Sequence, residues 1–404
     1  MTRRTINPTS SSSLFKNIKK ILVIKFRHIG DVLLTIPTIR ALKETFPDAS
    51  VSVLVNSGTE DALSGNPVID ELVVFDRAIR NLSLVKRYIR EVGFLKRIRA
   101  LKFDMTVDLT GGDRAAIASF LSGTRYRLAV DPGKKGFAGK RYLYTHLANV
   151  DKRKHMVLQN LDVVRYFGIS TNNLDVDFFI PDNARAFVKR IFEENNINPP
   201  IPPLLKGGEG GFRDKIVHVH PTSRWPFKCW KDEYMAEVIG WLIDKGMKVV
   251  VTSAPDKKEM EKAKRILSLV GDSPDSTASP VNLGQSPIDL CGKTTIKQLA
   301  AISEASALFV GVDSAPMHIA AAVKTPVIAL FGPTGEEWKP YGKGHVVISK
   351  DMPCKPCKKG MCEGIGLREC MTAIKPEDVK KAVLKIFNLD SSSVIPHLMR
   401  NPED

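Results

Sequence analysis

Two patterns of apolar residues alternate along the chain. Short continuous runs such as KILVIKF, ASVSVLVN and YRLAV are rich in β-branched residues, which is typical of strands buried on both faces of a parallel sheet. Segments such as RAAIASFLS and KDEYMAEVIGWLIDKG place apolar residues at helical spacing, and the second ends at Gly246, a helix C-cap residue. Strands that alternate with helices predict parallel β-α-β units with right-handed crossovers.

The alternation starts twice. In the first half, KILVIKF leads into one predicted helix, DVLLTIPTIRALKETF, with Pro37 in its opening turns. In the second half, KIVHVHPTS, MKVVVTSAP and SALFVGVD read as strands, with a helix beginning at Asp256 and another after Asp313. The pattern therefore predicts an α/β protein with two doubly wound halves.

Composition sets the predicted boundaries. We expect a disordered N-terminal segment at 1–19, a first domain at 20–170, a second domain at 171–375, a C-terminal helix at 376–389 and a disordered tail at 390–404. Pro-, Gly- and Ser-rich composition predicts flexible inserts at 198–214 and 271–287, and a Cys-rich loop spans 351–372.

Length and charge narrow the class of protein. The 404 residues suit two domains, and 60 Lys and Arg against 44 Asp and Glu give a formal net charge of +16. Such an excess favours polyanionic partners, although a soluble protein can simply be basic. No apolar run approaches the roughly 20 residues of a membrane span, and only ILVI follows the basic N-terminus, so we expect a cytoplasmic protein.

The segment at 80–102 has the pattern of a basic amphipathic helix. Six apolar residues fall at helical spacing, and eight Lys or Arg accompany a single acid, Glu91. This composition suits an anionic membrane surface. The alternative is a helix packed on the core with a solvated basic face.

Polar residues follow three of the predicted strands, where open α/β sheets bind ligands. After the first strand, Asp31 stands at a helix start and is a candidate general base, or only a helix cap. After a later strand, Asp313 precedes a helix start with small residues, which is a natural phosphate seat. Between them along the chain, HVHPTSRWPFK offers hydroxyls, a lysine, Arg224 and His220 to an anionic ligand. Neither a P-loop nor a GxGxxG fingerprint is found.

Four cysteines, Cys354, Cys357, Cys362 and Cys370, lie in one Lys- and Gly-rich loop. Their spacing predicts a structural zinc site, with an iron–sulfur cluster less favoured because nothing else indicates electron transfer. The alternatives are reduced thiols or disulfides in a surface loop.

Three blocks of the sequence, ILVIKFRHIGDVLLTIPTIRALKETFPDASVSVLV, HPTSRWPFKCWKDEYMAEVIGWL and VGVDSAPMHIAAAVKTPVIALFGPTGEEWKPYG, resemble the ADP-heptose:lipopolysaccharide heptosyltransferases, glycosyltransferase family nine. The first block is similar to the heptosyltransferase III branch. The resemblance spans residues 20–388, apart from the low-complexity inserts.

The resemblance implies two Rossmann-like domains facing a cleft, the GT-B arrangement, and transfer of a heptose with inversion at the anomeric carbon. ADP-heptose would bind the second domain, and a lipopolysaccharide core acceptor (Kdo/heptose-lipid A) the first. Asp31 matches the general base. The donor phosphate and sugar residues would be Lys25, Thr222, Ser223, Lys228, Asp313, Ser314, Ala315 and His318. Ser253 and Asp256 would contact the nucleoside, and Arg27, His28, Lys86, Arg87 and Arg90 the acceptor.

No Asp-x-Asp motif ends a strand, so we expect no cofactor for the chemistry, with Mg²⁺ as a helper at most. The expected protein is a monomer, peripheral on the inner face of the inner membrane. One alternative is a GT-B enzyme that uses another nucleotide sugar. Another is a basic, non-enzymatic polyanion-binding protein; nucleic acid is disfavoured because aromatic residues are few and core-like in position.

Overall fold

The computed structural model describes residues 14–197, 215–270, 286–355, 357 and 368–387. These residues form two compact units, which divide between Phe179 and Ile180. Each unit contains one sheet of six parallel strands. The predicted α/β fold with two doubly wound halves is confirmed.

Unit 1 contains six strands and five helices among its described residues. In chain order they are β1 (Lys20–Lys25), α1 (Ile29–Leu33), α2 (Ile36–Thr45), β2 (Ser50–Asn56), β3 (Glu71–Phe75), α3 (Leu84–Ala100), β4 (Met105–Asp108), α4 (Asp113–Leu121), β5 (Tyr126–Val130), β6 (His146–Ala148) and α5 (Met156–Arg165). The strand order across the sheet is β3-β2-β1-β4-β5-β6.

Unit 2 contains six strands and seven helices among its described residues. In chain order they are α6 (Asp182–Glu194), β7 (Ile216–His220), α7 (Asp232–Asp244), β8 (Lys248–Val251), α8 (Lys257–Ser268), β9 (Ile288–Asp289), α9 (Ile296–Glu304), β10 (Leu308–Val312), α10 (Ala315–Ala322), β11 (Val327–Phe331), β12 (Val346–Ser349), α11 (Glu369–Thr372) and α12 (Pro376–Ile386). The strand order is β12-β11-β10-β7-β8-β9.

The central strands are buried and mostly apolar because helices cover both faces of each sheet. Every residue of β7, β10 and β11 is buried. Gly311 in β10 is required by packing, since a Cβ there would lie 2.8 Å from the carbonyl oxygen of His220 on β7. Glycine at this position thus allows β7 and β10 to lie side by side.

The two sheets have the same connectivity. Counted from its own first strand, unit 2 repeats the order of unit 1, and the order reverses between β1 and β4 in unit 1 and between β7 and β10 in unit 2. Ile24 pairs with Asp108 at the first of these points, and His220 pairs with Gly311 at the second. Ligands of doubly wound sheets bind beyond the strand ends at this switch point.

The helix predicted after β1 is in fact two helices. The break falls at Leu34 and Thr35, and Pro37 occupies the second position of α2. Proline lacks an N–H and clashes with the carbonyl four residues earlier, so it suits a new helix start better than a continuous helix. The short α1 carries Asp31.

The predicted N-terminal boundary is wrong at 14–19. Phe15 is 3% exposed, and its ring packs edge-on against Tyr126 (5.1 Å between centroids). The chain just after the predicted first domain also packs on unit 1. Arg40 of α2 donates to the carbonyl oxygens of Asn173 and Asp175, both at 2.8 Å, which holds this stretch in the first unit.

The predicted Cys-rich loop ends in a helix, because 369–372 form α11, where Cys370 and Met371 are buried. The predicted C-terminal helix is confirmed as α12, which ends at Ile386. The insert 198–214, residues 271–285 of the second insert and the tail 390–404 lie outside the described residues. No described helix is long and apolar enough to cross a membrane.

Candidate functional site

The carboxyl end of β1 carries a buried lysine. Lys25 is 2% exposed, and its ammonium donates hydrogen bonds to the carbonyl oxygen of Leu109 (2.9 Å) and to Oδ1 of Asn160 (3.0 Å). Burial lowers its pKa to about 8, although the Asp31 and Asp108 carboxylates act in the opposite direction. The donor contact of Lys25 stays a prediction. In the structure its ammonium is already hydrogen-bonded within unit 1.

Lys25 makes the stability of unit 1 depend on pH. Its pKa is about 8 in the folded protein and 10.5 as a free side chain, so between these values the unfolded chain binds the additional proton. Stability from this group therefore rises as pH increases through that window and is lowest below pH 8. Between pH 7.5 and 10, wild type should gain roughly 2 kcal/mol relative to Lys25→Met.

Urea unfolding followed by circular dichroism measures this difference, and tryptophan fluorescence marks the transition of unit 2, because all four tryptophans follow residue 180. Parallel pH slopes in wild type and Lys25→Met would show that Lys25 is not titrating in this range.

Asp31 lies in the first turn of α1 and is partly exposed. One of its carboxylate oxygens accepts a long hydrogen bond from the backbone N–H of His28 (3.4 Å). The capping role considered from the sequence is therefore present, but the bond is weak and the carboxylate reaches solvent. Arg27 and His28, predicted to contact the acceptor, are both exposed beside it.

A second carboxylate at this strand end was missed from the sequence. Asp108 ends β4, is 1% exposed, and accepts a hydrogen bond from the Tyr144 hydroxyl (2.5 Å) and from the N–H groups of Thr110 (2.7 Å) and Gly111 (3.1 Å). Burial raises its pKa, and these hydrogen bonds act against the shift. Asp108 thus fixes the loop after β4 whose Leu109 carbonyl receives Lys25.

In unit 2, an ion pair occupies the switch point. Lys228 donates to Oδ2 of Asp313 at 2.5 Å, and the Thr334 hydroxyl donates to the same oxygen. The side chain of Lys228 is 20% exposed and that of Asp313 is 6% exposed. The two residues predicted separately as phosphate and sugar contacts are therefore direct partners, and Thr334, which follows β11, was missed.

The start of α10 lies next to this pair in sequence. Ser314 is the N-cap residue in an extended conformation, Ala315 is the first helical residue, and Pro316 occupies the next position. Ser314 Oγ donates to the Val312 carbonyl oxygen (3.2 Å), and His318 is buried in the helix. The predicted helix start is confirmed, and its backbone N–H groups are suited to an anion.

The hydroxyl of Thr222 faces the interior. It donates to Oε2 of Glu259 (2.7 Å), and Thr222 is fully buried. Ser223 is 6% exposed, and its oxygen accepts from the backbone N–H of Trp225 (3.3 Å). The predicted phosphate contacts of this hydroxyl pair are untested, and Thr222 meets an acid whose pKa is raised by burial.

His220, considered available to a ligand from the sequence, belongs to the core instead. His220 is 2% exposed, and its Nδ1 lies 2.8 Å from the Thr252 hydroxyl, which also meets Nε2 of His218 at 2.8 Å. Burial lowers the pKa of His220 to about 3, so the ring is neutral near pH 7. It supports strand packing and offers no charge to a ligand.

The predicted nucleoside residues have structural roles. Asp256 is the N-cap of α8, where its Oδ1 accepts from the N–H groups of Lys258 (3.0 Å) and Glu259 (3.3 Å). Ser253 is 1% exposed and donates to the Ala254 carbonyl oxygen (3.1 Å). The acid that faces inward here is Glu259, three residues after Asp256. The nucleoside contacts of Ser253 and Asp256 stay predictions.

The predicted metal site is only partly described. Cys354 is exposed, Cys357 is half-buried and Cys370 is buried, while Cys362 lies outside the described residues. Within the described ranges, no three His, Cys, Asp or Glu side chains form a group able to hold a metal ion. The zinc prediction stays untested because its fourth ligand is among the undescribed residues.

Comparison with known proteins gives a family for these two units. The sequence profile of glycosyltransferase family 9 (heptosyltransferase) matches residues 92–364. The chain belongs to glycosyltransferase family 9. It is 31% identical over 370 residues to lipopolysaccharide heptosyltransferase 3 of Escherichia coli (strain K12), which covers 91% of this chain and 98% of that protein. The family and enzyme class predicted from the sequence, a glycosyltransferase, are therefore confirmed.

Solved structures share the fold of this family 9 glycosyltransferase. A family 9 glycosyl transferase from Veillonella parvula matches with a TM-score of 0.73 at 20% identity, covering 92% of this chain and 98% of that chain. Two structures of the E. coli heptosyltransferase WaaC, with ADP and with ADP-2-deoxy-2-fluoro heptose, match with TM-scores of 0.65 and 0.63 at 20% identity, covering 91% of this chain and 99% of those chains.

Proposed function

We propose that this family 9 glycosyltransferase transfers a heptosyl group from ADP-heptose to a sugar of the lipopolysaccharide core. Transfer proceeds with inversion at the anomeric carbon and with Asp31 as the general base. The relative named lipopolysaccharide heptosyltransferase 3 supports the acceptor class. The WaaC structures, whose ligands are ADP and an ADP-linked fluoroheptose, support the donor class.

The observation that carries the donor side is the Lys228–Asp313 pair beside the start of α10 in unit 2. A cation and a helix N-terminus together favour a diphosphate, and a carboxylate favours sugar hydroxyls. Lys228 has three N–H donors, so it can contact a phosphate oxygen while it still holds Asp313. The pair is therefore suited to contact both the diphosphate and the sugar of an ADP-sugar.

The leaving group determines what unit 2 contributes to the chemistry. As the bond between the anomeric carbon and the phosphate oxygen breaks, its electron pair passes to that oxygen and ADP carries the new negative charge. Lys228 and the first-turn N–H groups of α10 stabilise this charge. A helper Mg²⁺ remains a prediction from the sequence.

Asp31 supplies the base for the attacking hydroxyl. The acceptor oxygen forms the new bond to the anomeric carbon from the face opposite ADP, and its proton passes to the Asp31 carboxylate. A partly exposed carboxylate with one weak protein hydrogen bond suits this role, because strong donors would make it a poorer base. Arg27 and His28, exposed beside Asp31, are suited to the anionic groups of a core acceptor.

A donor screen tests the proposal. The purified full chain is incubated with truncated, heptose-bearing lipopolysaccharide and, separately, with ADP-heptose, ADP-glucose, UDP-glucose or GDP-mannose, and products are analysed by mass. We expect one added heptosyl residue from ADP-heptose and release of ADP, and proton NMR of the product should report the inverted anomer. Transfer from another nucleotide sugar but not from ADP-heptose would refute the proposed donor.

A further inference from the structure

Helix α3 is anchored to unit 1 through its second half. The Phe94 ring packs edge-on against Phe75 of β3 (4.9 Å between centroids), and Ile98 is fully buried. Glu91, at the middle of the helix, accepts from Arg114 of α4 (3.0 Å). These contacts fix the direction of the helix, so the alternative of a core-packed helix holds for this half.

The first half of α3 exposes its apolar side chains. The four exposed residues, with their exposed fractions, are Leu84 (82%), Val85 (70%), Tyr88 (71%) and Ile89 (62%). We call these four residues the α3 apolar patch. Single exposed apolar residues are ordinary, but four within two turns on a fixed helix indicate a surface that binds something.

The side of the helix that carries the α3 apolar patch becomes basic toward its C-terminus. Tyr88, Val92, Lys96 and Arg99 are spaced by four, four and three residues, which places them along one side of a helix. Lys96 and Arg99 are both exposed. Lys86 and Arg90, in contrast, lie about a third to a half of a turn away from this line.

From this arrangement we infer that α3 docks unit 1 onto an anionic phospholipid bilayer. The α3 apolar patch enters the boundary between headgroups and acyl chains, while Lys96 and Arg99 meet the phosphates. An apolar end and a basic end on one side of a helix match the layered chemistry of that interface. The inference is independent of the proposed donor and general base.

The charge distribution argues against a second copy of the chain as the occupant. A symmetric dimer through this face would bring two copies of the same basic helix together. The segment 80–102 contains eight Lys or Arg and one acid, so the two faces would repel each other. An anionic surface instead attracts the basic end of this face.

Co-sedimentation with vesicles of phosphatidylcholine and roughly 30% phosphatidylglycerol tests the inference, with pure phosphatidylcholine as the neutral comparison. Lys96→Glu with Arg99→Glu should lower the partition coefficient about 10- to 100-fold. Lys86→Glu with Arg90→Glu makes the same change in net charge away from the docking side and should have a clearly smaller effect. Equal losses would overturn the proposed orientation.

The apolar contribution needs its own variants. Tyr88→Ser with Ile89→Ser should weaken partitioning about tenfold or more, because the two side chains no longer bury apolar area in the bilayer. ADP affinity should be unchanged, because both residues belong to unit 1 and the proposed ADP site belongs to unit 2. Tyr166→Ser, a matched exposed tyrosine of unit 1 at 57% exposure, should leave partitioning unchanged. If vesicle binding is lost in about 1 M salt but is the same in wild type and in Tyr88→Ser with Ile89→Ser, the protein adsorbs by charge alone. That result would overturn insertion.

Insertion is measured directly with Tyr88→Trp. Addition of anionic vesicles should shift its emission to the blue beyond any change in wild type, and brominated acyl chains should quench it. No shift on bound protein would contradict insertion. Protein that self-associates in analytical ultracentrifugation but does not bind vesicles would identify a second copy as the partner. Protein that neither self-associates nor binds vesicles would indicate that another part of this chain covers the α3 apolar patch. Both outcomes overturn the inference.

Discussion

Replacing Asp31 by asparagine is expected to reduce the turnover number at least about 100-fold, with ADP affinity nearly intact. The amide cannot accept the proton of the attacking hydroxyl, so the step from bound substrates to product loses its base. Asp31 is the third residue of α1, where its side chain accepts from the backbone N–H of the N-cap residue His28, and the asparagine oxygen can keep this bond. The loss should therefore appear in kcat and not in folding.

Steady-state rates of ADP release with lipopolysaccharide acceptor, together with calorimetric titration of ADP, separate the two effects. Asp104→Asn is the matched control, since Asp104 also accepts from backbone N–H groups, of Lys19 (2.8 Å) and Lys20 (2.9 Å), but precedes β4 at the opposite end of the strands. Both variants should melt near the wild-type temperature. An Asp31→Asn enzyme with wild-type turnover would remove Asp31 from the chemistry.

The strands and their order of appearance were predictable because burial on both faces strongly favours apolar residues. β1, β2 and β5 read as continuous runs, and the structure contains them where the runs occur. The helix start after Asp313 was predictable for a similar reason, since a proline in the first turn costs no hydrogen bond. These features depend on local chemistry alone.

The misses share a different physical origin, because each depends on residues far apart in the chain. Asp108 and Tyr144 are separated by 36 residues, and Lys25 and Asn160 by 135. Nothing near Lys25 in sequence shows that its ammonium will be buried against the loop after β4. Glu259 was overlooked in favour of Asp256, since only the packing of α8 determines which of the two acids points inward.

The repeated connectivity of the two units explains why their polar groups gather at equivalent places. In each sheet the strand order reverses next to the first strand, so the loops that follow the two central strands diverge and leave space beyond their ends. The polar residues at these strand ends are Asp31, Lys25 and Asp108 in unit 1, and Lys228 and Asp313 in unit 2. One architecture thus brings titratable side chains together in unit 1 and an ion pair beside a helix start in unit 2, where we propose the base and the diphosphate site.

Replacing Lys228 by methionine is expected to raise the Kd for ADP by about 10- to 150-fold, which corresponds to about 1.5–3 kcal/mol for a lost hydrogen bond from a charged group. Asp313 is 6% exposed at its side chain, so the variant also leaves a buried carboxylate without its cation, close to the proposed diphosphate site. Asp313→Asn should instead lower the Kd for ADP, because it frees Lys228 for the phosphates. It should raise the Kd for the ADP-sugar, whose hydroxyls we propose that Asp313 contacts.

Calorimetry with ADP on four proteins tests this pair: wild type, Lys228→Met, Asp313→Asn and the double variant. The double variant should bind ADP more tightly than Lys228→Met, since the unpaired carboxylate is gone, and less tightly than Asp313→Asn. Lys262→Met is the control, because Lys262 forms an equally shielded ion pair with Asp232 in the same unit, with side chains 16% and 18% exposed. If Lys228→Met and Lys262→Met affect ADP binding alike, the loss reflects a weakened unit 2, and the phosphate site lies elsewhere.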